Sequence, residues 1–555
     1  MRRCNTAERS LRDVLSGGLT TATRLLLCAL SGVALGLAFP KFDLNLVAWV
    51  AFVPLLYAVE GDTTRRVFGY AWLQGLVCYV VSLYWVDFTL HHFAGVNAIL
   101  AAGPLLLLAG VMALYTGLAI WAAEFAAARL GLPIFVTLPI AWPAVEWLRS
   151  FFPIGFPWNL LGYTAHRNLE LIQFAEITGV YGISALIVFF NAVIFVVLFA
   201  RHSRRVQTLS LGTLTALMLA AVIFGTIRMD RLHSRPPQGR IRVAMVQGNI
   251  PQSIKWSPGF LETSFNIYAD QTEQAAHHHI DLALWPEAAA AFFFQPGDVY
   301  PSQFATDALY RQRLLKLAQS VGHPILFGAP ALGVASDGEV GTYNRAYLVS
   351  GDGKVASYYD KIQLVPFGEY VPMRPLLGSF VNRIVHGFGD MIPGREQTLF
   401  DVKGARLGVL ICYESVFPDF TRREVKRGAD VLVNITNDAW YGTSSAPYQL
   451  LAMSAMRTVE TKVPMVRVAN TGISAVIEPD GRITARTPLF KRGTEIEDVS
   501  WRLSRTVYTL VGDLFSEICF ALAVVGVLLA ALRPPEAEVV PTTPLAGAAH
   551  ANGRG

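Results

Sequence analysis

Apolar positions along the chain follow two rhythms. Between Leu25 and Ile227 they form long runs, broken mainly by glycine, proline and short arginine-bearing stretches. From Arg228 to about Thr509 the runs shorten and alternate with charge, glycine and proline. Long runs predict membrane helices, because a hydrocarbon core of ~30 Å takes about 20 helical residues to cross. Eight segments qualify: Thr23 to Pro40, Asn45 to Val59, Phe68 to Phe88, Asn97 to Ala128, Leu132 to Leu148, Gly179 to Ala200, Leu209 to Ile227 and Phe515 to Leu532. The second is short and the fifth carries prolines in "LPIAWPAVEW", which blurs the ends of both.

The second rhythm predicts strands. "IRVAMVQGNI", "DLALWPE", "HPILFGAP", "RAYLVS", "RLGVLICYE", "DVLVNITND", "PMVRVAN" and "ISAVIEPDG" are rich in Val, Ile and Leu, and several are almost continuously apolar. Such runs suit strands covered on both faces. Between them, "ATDALYRQRLLKLAQSVG" and "APYQLLAMSAMRTVETKV" repeat apolar residues at three and four, as helices do. Strands alternating with helices make an α/β domain. "RMDRLHSRPPQGR", Arg228 to Arg240, reads as the polar linker joining it to the membrane part. The expected division is therefore an N-terminal segment 1–22, a membrane domain 23–227 of about seven helices, a globular domain 228–510, a final span 515–532 and a disordered tail 533–555.

Composition agrees. Of 555 residues, 53% are hydrophobic and 16% charged, and the mean hydropathy is +0.40, too apolar for a soluble protein of this size. The net charge of +5 is mild. Its arginines flank the spans, so nucleic-acid binding has no support. Arg2, Arg3, Arg9 and Arg12 precede the first span, Arg65 and Arg66 follow the second, Arg129 the fourth, and Arg201, Arg204 and Arg205 the sixth. Basic loops stay cytoplasmic. Both termini are then expected in the cytoplasm and the globular domain on the far side. The first run with its arginine-rich start also fits a cleaved signal peptide, but further spans follow at once.

Cysteine usage narrows the chemistry. Cys4 lies in the N-terminal segment, Cys28, Cys78 and Cys519 in membrane runs, and Cys412 alone in the globular domain. An oxidising compartment favours disulfides, yet Cys412 has no partner in that domain. It is an inert packed thiol or a functional one, and burial statistics slightly favour the first. Strand ends also carry Glu287, after "DLALWPE", and Lys361, after "VASYYDK". Taken singly, these are a solvated carboxylate and a surface ammonium. Together with Cys412 they supply a nucleophile, a proton acceptor and a cation for an oxyanion, the parts that acyl transfer needs. His277 to His279 precede a strand and read as solvated surface rather than a metal site.

The order Glu, Lys, Cys, each after an apolar strand, resembles the nitrilase superfamily. "VQGNIPQSIKW", "LWPEAA", "YDKIQLVPFGEYVP", "CYES" and "NDAWYG", together with the spans, resemble its membrane-embedded branch, the apolipoprotein N-acyltransferases. The resemblance implies an αββα sandwich beside a multi-span helical membrane domain, in the bacterial inner membrane with the catalytic domain periplasmic. It implies Glu287 as general base, Lys361 as oxyanion stabiliser and Cys412 as nucleophile, with Glu369 and Glu414 supporting and Trp256, Tyr413 and Trp440 beside the substrate. A phospholipid would be the acyl donor and a diacylated apolipoprotein the acceptor, with a thioester between them and no cofactor or metal. Apolar stretches at Ala290 to Asp298 and Met373 to Met391 read equally as lids or interfacial pieces and as ordinary core beneath a loop. A membrane-tethered amidase would use the same triad, although one anchor would suffice for it. A transporter or sensor with a degenerate nitrilase-like domain should carry intramembrane charges, but these are few, chiefly Asp87, Glu124 and Glu146 near span ends, and the triad is intact.

Overall fold

The computed structural model describes residues 19–93, 96–200, 202–295, 304–334, 338, 340–372, 391–502 and 505–533. The N-terminal residues 1–18, most of the Met373 to Met391 stretch and the tail beyond Arg533 lie outside them.

Each of the eight apolar segments is wholly or partly helical, but their lengths differ from the sequence expectation. Among the described residues, five helices are long and apolar enough to cross a membrane: Thr21–Ala38, Ala98–Leu130, Val180–Leu198, Arg204–Ser234 and Leu514–Leu532. The pair Thr64–Ser82 and Trp85–Phe93, bent by 50°, has the length and composition of a sixth, as a broken span or a re-entrant loop. The remaining two are shorter. Asn45–Trp49 is a 3₁₀ turn followed by the helix Val53–Val59, and Ile134–Arg149 carries Pro139 and Pro143. Even so, 45–59 runs back along the whole first helix. Ser31 donates to the Ala51 carbonyl at 2.6 Å, and Arg24, at that helix's start, pairs with Asp62 at 3.4 Å. Gly32 and Gly36 let the first helix press onto Thr64–Ser82, where a Cβ on Gly32 would sit 2.5 Å from the Gln74 carbonyl.

The helices share a polarity. Arg24, Asp62 and Arg66 cluster at one end, and Arg129 donates to the Arg533 carbonyl at 3.0 Å, joining the ends of two more helices. Opposite ends meet the globular domain: Lys41 donates to the Thr443 carbonyl at 2.7 Å, and Gln449 to the Ser82 carbonyl at 2.9 Å. The segment expected as a polar linker is helical to Ser234, and only 235–238 connects it to the first strand. Its polar residues stay helical because they find partners on leaving the apolar run. Arg228 pairs with Glu176 at 2.6 Å and His233 with Asp480 at 3.0 Å.

The globular domain holds two six-stranded sheets. The first has β1 (Gly239–Gln247), β2 (Leu282–Leu284), β3 (Ile325–Val334), β4 (Val340–Val349), β5 (Val355–Asp360) and β12 (Gly493–Trp501), in the order β12-β1-β2-β3-β4-β5. The second has β6 (Leu399–Val402), β7 (Ala405–Ile411), β8 (Val431–Thr436), β9 (Met465–Ala469), β10 (Ala475–Ile477) and β11 (Ile483–Arg486), in chain order. Both follow one plan, with parallel central strands, β1-β2-β3 and β7-β8-β9, and antiparallel neighbours outside. Helices Leu261–Ala276 and Ala305–Val321 make the crossovers of the first sheet, and Pro418–Arg427 and Ala446–Thr461 those of the second.

Alternation along β1 explains the layering. Val243 and Met245 face the second sheet's Val409, Val433 and Val466, while Ala244 and Val246 face Phe265 and Tyr268 of the helical layer. The result is an αββα sandwich. Of the two readings of the Ala290 to Asp298 stretch, its described part takes the core one: Phe292 and Phe294 are buried, and Phe294 packs 4.6 Å from Tyr347 and 5.1 Å from Phe327. Residues 296–298 of that stretch lie outside the described residues. His277 to His279 are exposed at a helix end.

Candidate active site

Ligand sites in open parallel sheets gather at the carboxyl ends of strands, and the structure brings Glu287, Lys361 and Cys412 together there, after β2, β5 and β7. Lys361 Nζ lies 3.2 Å from Glu287 Oε1 and 2.8 Å from Glu369 Oε1. Asn344, on β4, closes this group. Its Nδ2 donates to Glu287 Oε1 at 2.7 Å and Glu369 Oε1 at 3.1 Å, and its carbonyl accepts from Lys361 N at 2.9 Å. Asn437 N donates to Glu287 Oε2 at 2.9 Å. Both oxygens of Glu287 are therefore occupied, and the carboxylate is fixed rather than solvated.

Cys412 directly follows β7 and opens the 3₁₀ turn Cys412–Val416. Its φ is +53°, the left-handed region that costs a non-glycine residue energy and recurs at functional sites. Asn434 Nδ2 and Ser415 Oγ donate to its carbonyl at 3.3 and 3.1 Å. Behind them, Arg467 is bound to Asn434 Oδ1 and to Asp438 Oδ2 at 2.8 Å, a buried pair that braces the β7, β8 and β9 ends.

The charges are interdependent. Burial alone would lift Glu287, but the Lys361 ammonium and the Asn344 amide outweigh it and hold the carboxyl below its ordinary value. Burial opposes the Lys361 charge, yet Glu287 and Glu369 keep it well above its usual range. Burial, reinforced by the Glu287 charge, pushes the Cys412 thiol up against the pull of Lys361. The resting site thus holds a thiol, a carboxylate and an ammonium.

Glu414 is wholly buried and acts as a clamp. Oε1 accepts from Tyr359 OH at 2.7 Å, Ile362 N at 2.7 Å and Gln363 N at 3.1 Å, and Oε2 from Ile411 N at 2.7 Å. It ties the segment after Lys361 to the strand before Cys412. Burial pushes it up to about 7 against those donors.

Residues 31–193 match the family described as apolipoprotein N-acyltransferase N-terminal domain, and 242–507 match carbon-nitrogen hydrolase. An apolipoprotein N-acyltransferase of Geobacter metallireducens is 40% identical over 92% of this chain and 95% of its own length. This chain belongs to the apolipoprotein N-acyltransferase family. The namesake of Methylococcus capsulatus is 31% identical over 92% of this chain and 96% of its own. An amidase from Nesterenkonia sp. is similar at 22% identity over 48% of this chain and 92% of that one, with a TM-score of 0.35. The chain is an N-acyltransferase enzyme with a nitrilase-like domain and a helical membrane part.

In this N-acyltransferase the membrane half forms one wall of the site. Tyr413, beside Cys412, stacks on Trp158 at 6.3 Å, and Trp158 packs 4.8 Å from Trp85, which meets Tyr441 at 5.1 Å. Trp158 is anchored through Nε1 to Gln449 Oε1 at 2.7 Å. The Trp440 carbonyl accepts from Thr89 of the bent helix at 2.9 Å, so that loop touches the membrane half. Trp256 stands apart, 46% exposed after the short helix Gln252–Lys255.

Sequence reasoning passed over Asn344, one residue before the quoted "RAYLVS", and over Lys255 and Asn437 inside quoted motifs. Nothing in their types marked them, since amides and lysines are common on surfaces. Gly328, on β3, was equally silent. A Cβ there would lie 2.5 Å from Ala288 N and 2.8 Å from the Glu287 Cα. Gly328→Ala is expected to displace Glu287 and destabilise the domain by about 1–3 kcal/mol, the usual cost of overpacking. A parental melting temperature and activity would refute this.

Proposed function

We propose that the chain transfers a fatty acyl group from a phospholipid to the α-amino group of the N-terminal diacylglyceryl-cysteine of an apolipoprotein, the last step of lipoprotein maturation. The observation that carries this reading is the meeting of Glu287, Lys361 and Cys412 beside the aromatic wall of Trp85, Trp158 and Tyr413. That buried aromatic packing couples the groups for acyl transfer to the helical half of the chain.

Glu287 takes the thiol proton as Cys412 Sγ adds to the ester carbonyl, and the Lys361 ammonium stabilises the oxyanion. Collapse breaks the ester C–O bond. Glu287 returns its proton to the leaving alcohol, giving a lysophospholipid and a thioester on Cys412. The acceptor amine then adds to the thioester and gives its proton to Glu287, the C–S bond breaks, and Glu287 passes that proton to the departing Cys412 Sγ to restore the thiol. Glu369 shares Lys361, and Glu414 holds the Lys361 and Cys412 segments in register. Tyr413, Trp440 and the exposed Trp256 are assigned to substrate contact. Seating the site on a membrane half favours two lipid substrates over water as second nucleophile.

The arginine-bearing helix ends support a cytoplasmic side, with the globular domain periplasmic and the protein in a bacterial inner membrane. The proposed division remains 1–22, 23–227, 228–510, 515–532 and 533–555, with 45–59 and Ile134–Arg149 counted as crossings despite their lengths.

The test is acyl-enzyme capture. Full-length protein with radiolabelled phospholipid is expected to give a hydroxylamine-sensitive adduct that passes to a diacylated lipopeptide and is lost in Cys412→Ala. An adduct that persists without Cys412 would sink the thioester mechanism. Free fatty acid without N-acylated peptide would favour the membrane-tethered amidase.

A further inference from the structure

Lys255 ends the short helix Gln252–Lys255 and is 1% exposed. Its Nζ donates to the Glu287 main-chain carbonyl at 3.3 Å. Its helix is tied to the same site, because Gln252 Oε1 accepts from Asn437 Nδ2 at 2.8 Å while Asn437 N donates to Glu287 Oε2. Taking an ammonium out of water costs several kcal/mol unless its partners repay it. Methionine would fill similar space without that cost. A lysine at this position therefore supplies charge.

The charge inventory says which charge it balances. Glu287 follows β2, Lys361 follows β5, Glu369 lies in the next loop, Cys412 follows β7, and Asp438, after β8, is paired with Arg467 of β9. With the thiol protonated, Glu287 and Glu369 bring two negative charges and Lys361 one positive. Lys255 makes the site neutral. Proton transfer to Glu287 and formation of the oxyanion preserve that balance.

We propose that Lys255 is a positioning residue for the transfer reaction, the second buried cation that keeps Glu287 ionised and its strand end in place. This rests on Glu287 being the general base. Lys255 acts through the Glu287 backbone and through its field, without touching the substrate. Burial pushes the ammonium down to about 8, with Glu287 pulling it back up, so its own charge is lost at mildly basic pH.

The experiment is the pH dependence of the rate of adduct formation with labelled phospholipid, in the full chain in detergent, for the parent, Lys255→Met and Lys255→Arg. Removing a nearby cation raises a carboxyl's proton affinity. The acid limb of Lys255→Met is therefore expected about 1 pH unit above the parent's, the lower end of what one adjacent charge does. Lys255→Arg keeps its charge, so it should hold the parental acid limb. An unmoved acid limb in a folded Lys255→Met, even with a uniformly lower rate, would reduce Lys255 to packing. Should Lys255→Met fail to fold, Lys255→Gln takes its place, and an unmoved acid limb in that folded variant overturns the proposal. Adduct that survives Cys412→Ala would instead overturn the reading of the site itself.

Discussion

Lys361→Ala is expected to abolish measurable adduct formation in a protein that still folds. Two losses combine. The oxyanion loses its cation, and removing a single oxyanion donor already costs about 10²–10³ in rate. Glu287 and Glu369, both bound to Asn344 Nδ2, also lose the ammonium between them. Like charges that close do not both stay ionised, so one carboxyl keeps a proton near neutrality and the base is partly disabled. A stability signature follows. A carboxyl whose folded value lies above its unfolded one contributes stability at low pH and loses it as pH rises through the folded value. The melting temperature of Lys361→Ala should therefore fall relative to the parent as pH rises through neutrality. A folded variant keeping more than a tenth of parental adduct formation, with a parallel pH profile of stability, would refute the oxyanion role.

Replacing Glu414 should be almost as damaging, for a different reason. Glu414→Ala orphans the amides of Ile411, Ile362 and Gln363 and the Tyr359 hydroxyl, all held by this one carboxylate. Each buried unsatisfied donor costs about 1–3 kcal/mol, so several kcal/mol of stability should go. Glu414→Gln separates structure from chemistry. It preserves volume but turns an NH2 toward a backbone N–H, which shifts the segment carrying Lys361 against Cys412. A misplacement of ~1 Å can cost about 10²-fold in rate. We expect that loss in the adduct-forming step with a smaller fall in melting temperature. Parental rates in Glu414→Gln would show that Glu414 serves only as filling.

The difference between these two residues shows what sequence can reveal. Lys361 and Cys412 were legible because each ends an apolar strand, where a reactive group stands out. Glu414 was placed only by resemblance, since a glutamate two residues past the cysteine has no intrinsic signature of a clamp. Asn344 and Lys255 were invisible because their importance lies in partners from distant segments. Errors have equally local causes. "RMDRLHS" reads as a linker by polarity, yet it is helix because Glu176 and Asp480 await its charges. "AAFFF" left core and interface equally open by hydrophobicity, and Phe292 and Phe294 fill the space beneath the helical layer. β6, β11 and β12 went unforeseen because they are short or carry charge at the sheet edges.

By itself the sequence determined the two-part architecture, the α/β character of the globular part and the three strand ends that carry Glu287, Lys361 and Cys412. Apolar run length and periodicity are local properties, and they survive without coordinates. Tertiary structure alone decided which polar groups face one another. It brought Asn344 and Asn437 onto Glu287, closed Glu414 over the Lys361 and Cys412 segments, set Lys255 against the Glu287 carbonyl and raised Trp158 beside Tyr413. These contacts join residues tens to hundreds of positions apart in the chain. The field at an active site depends on distance in space, and only folding sets that distance.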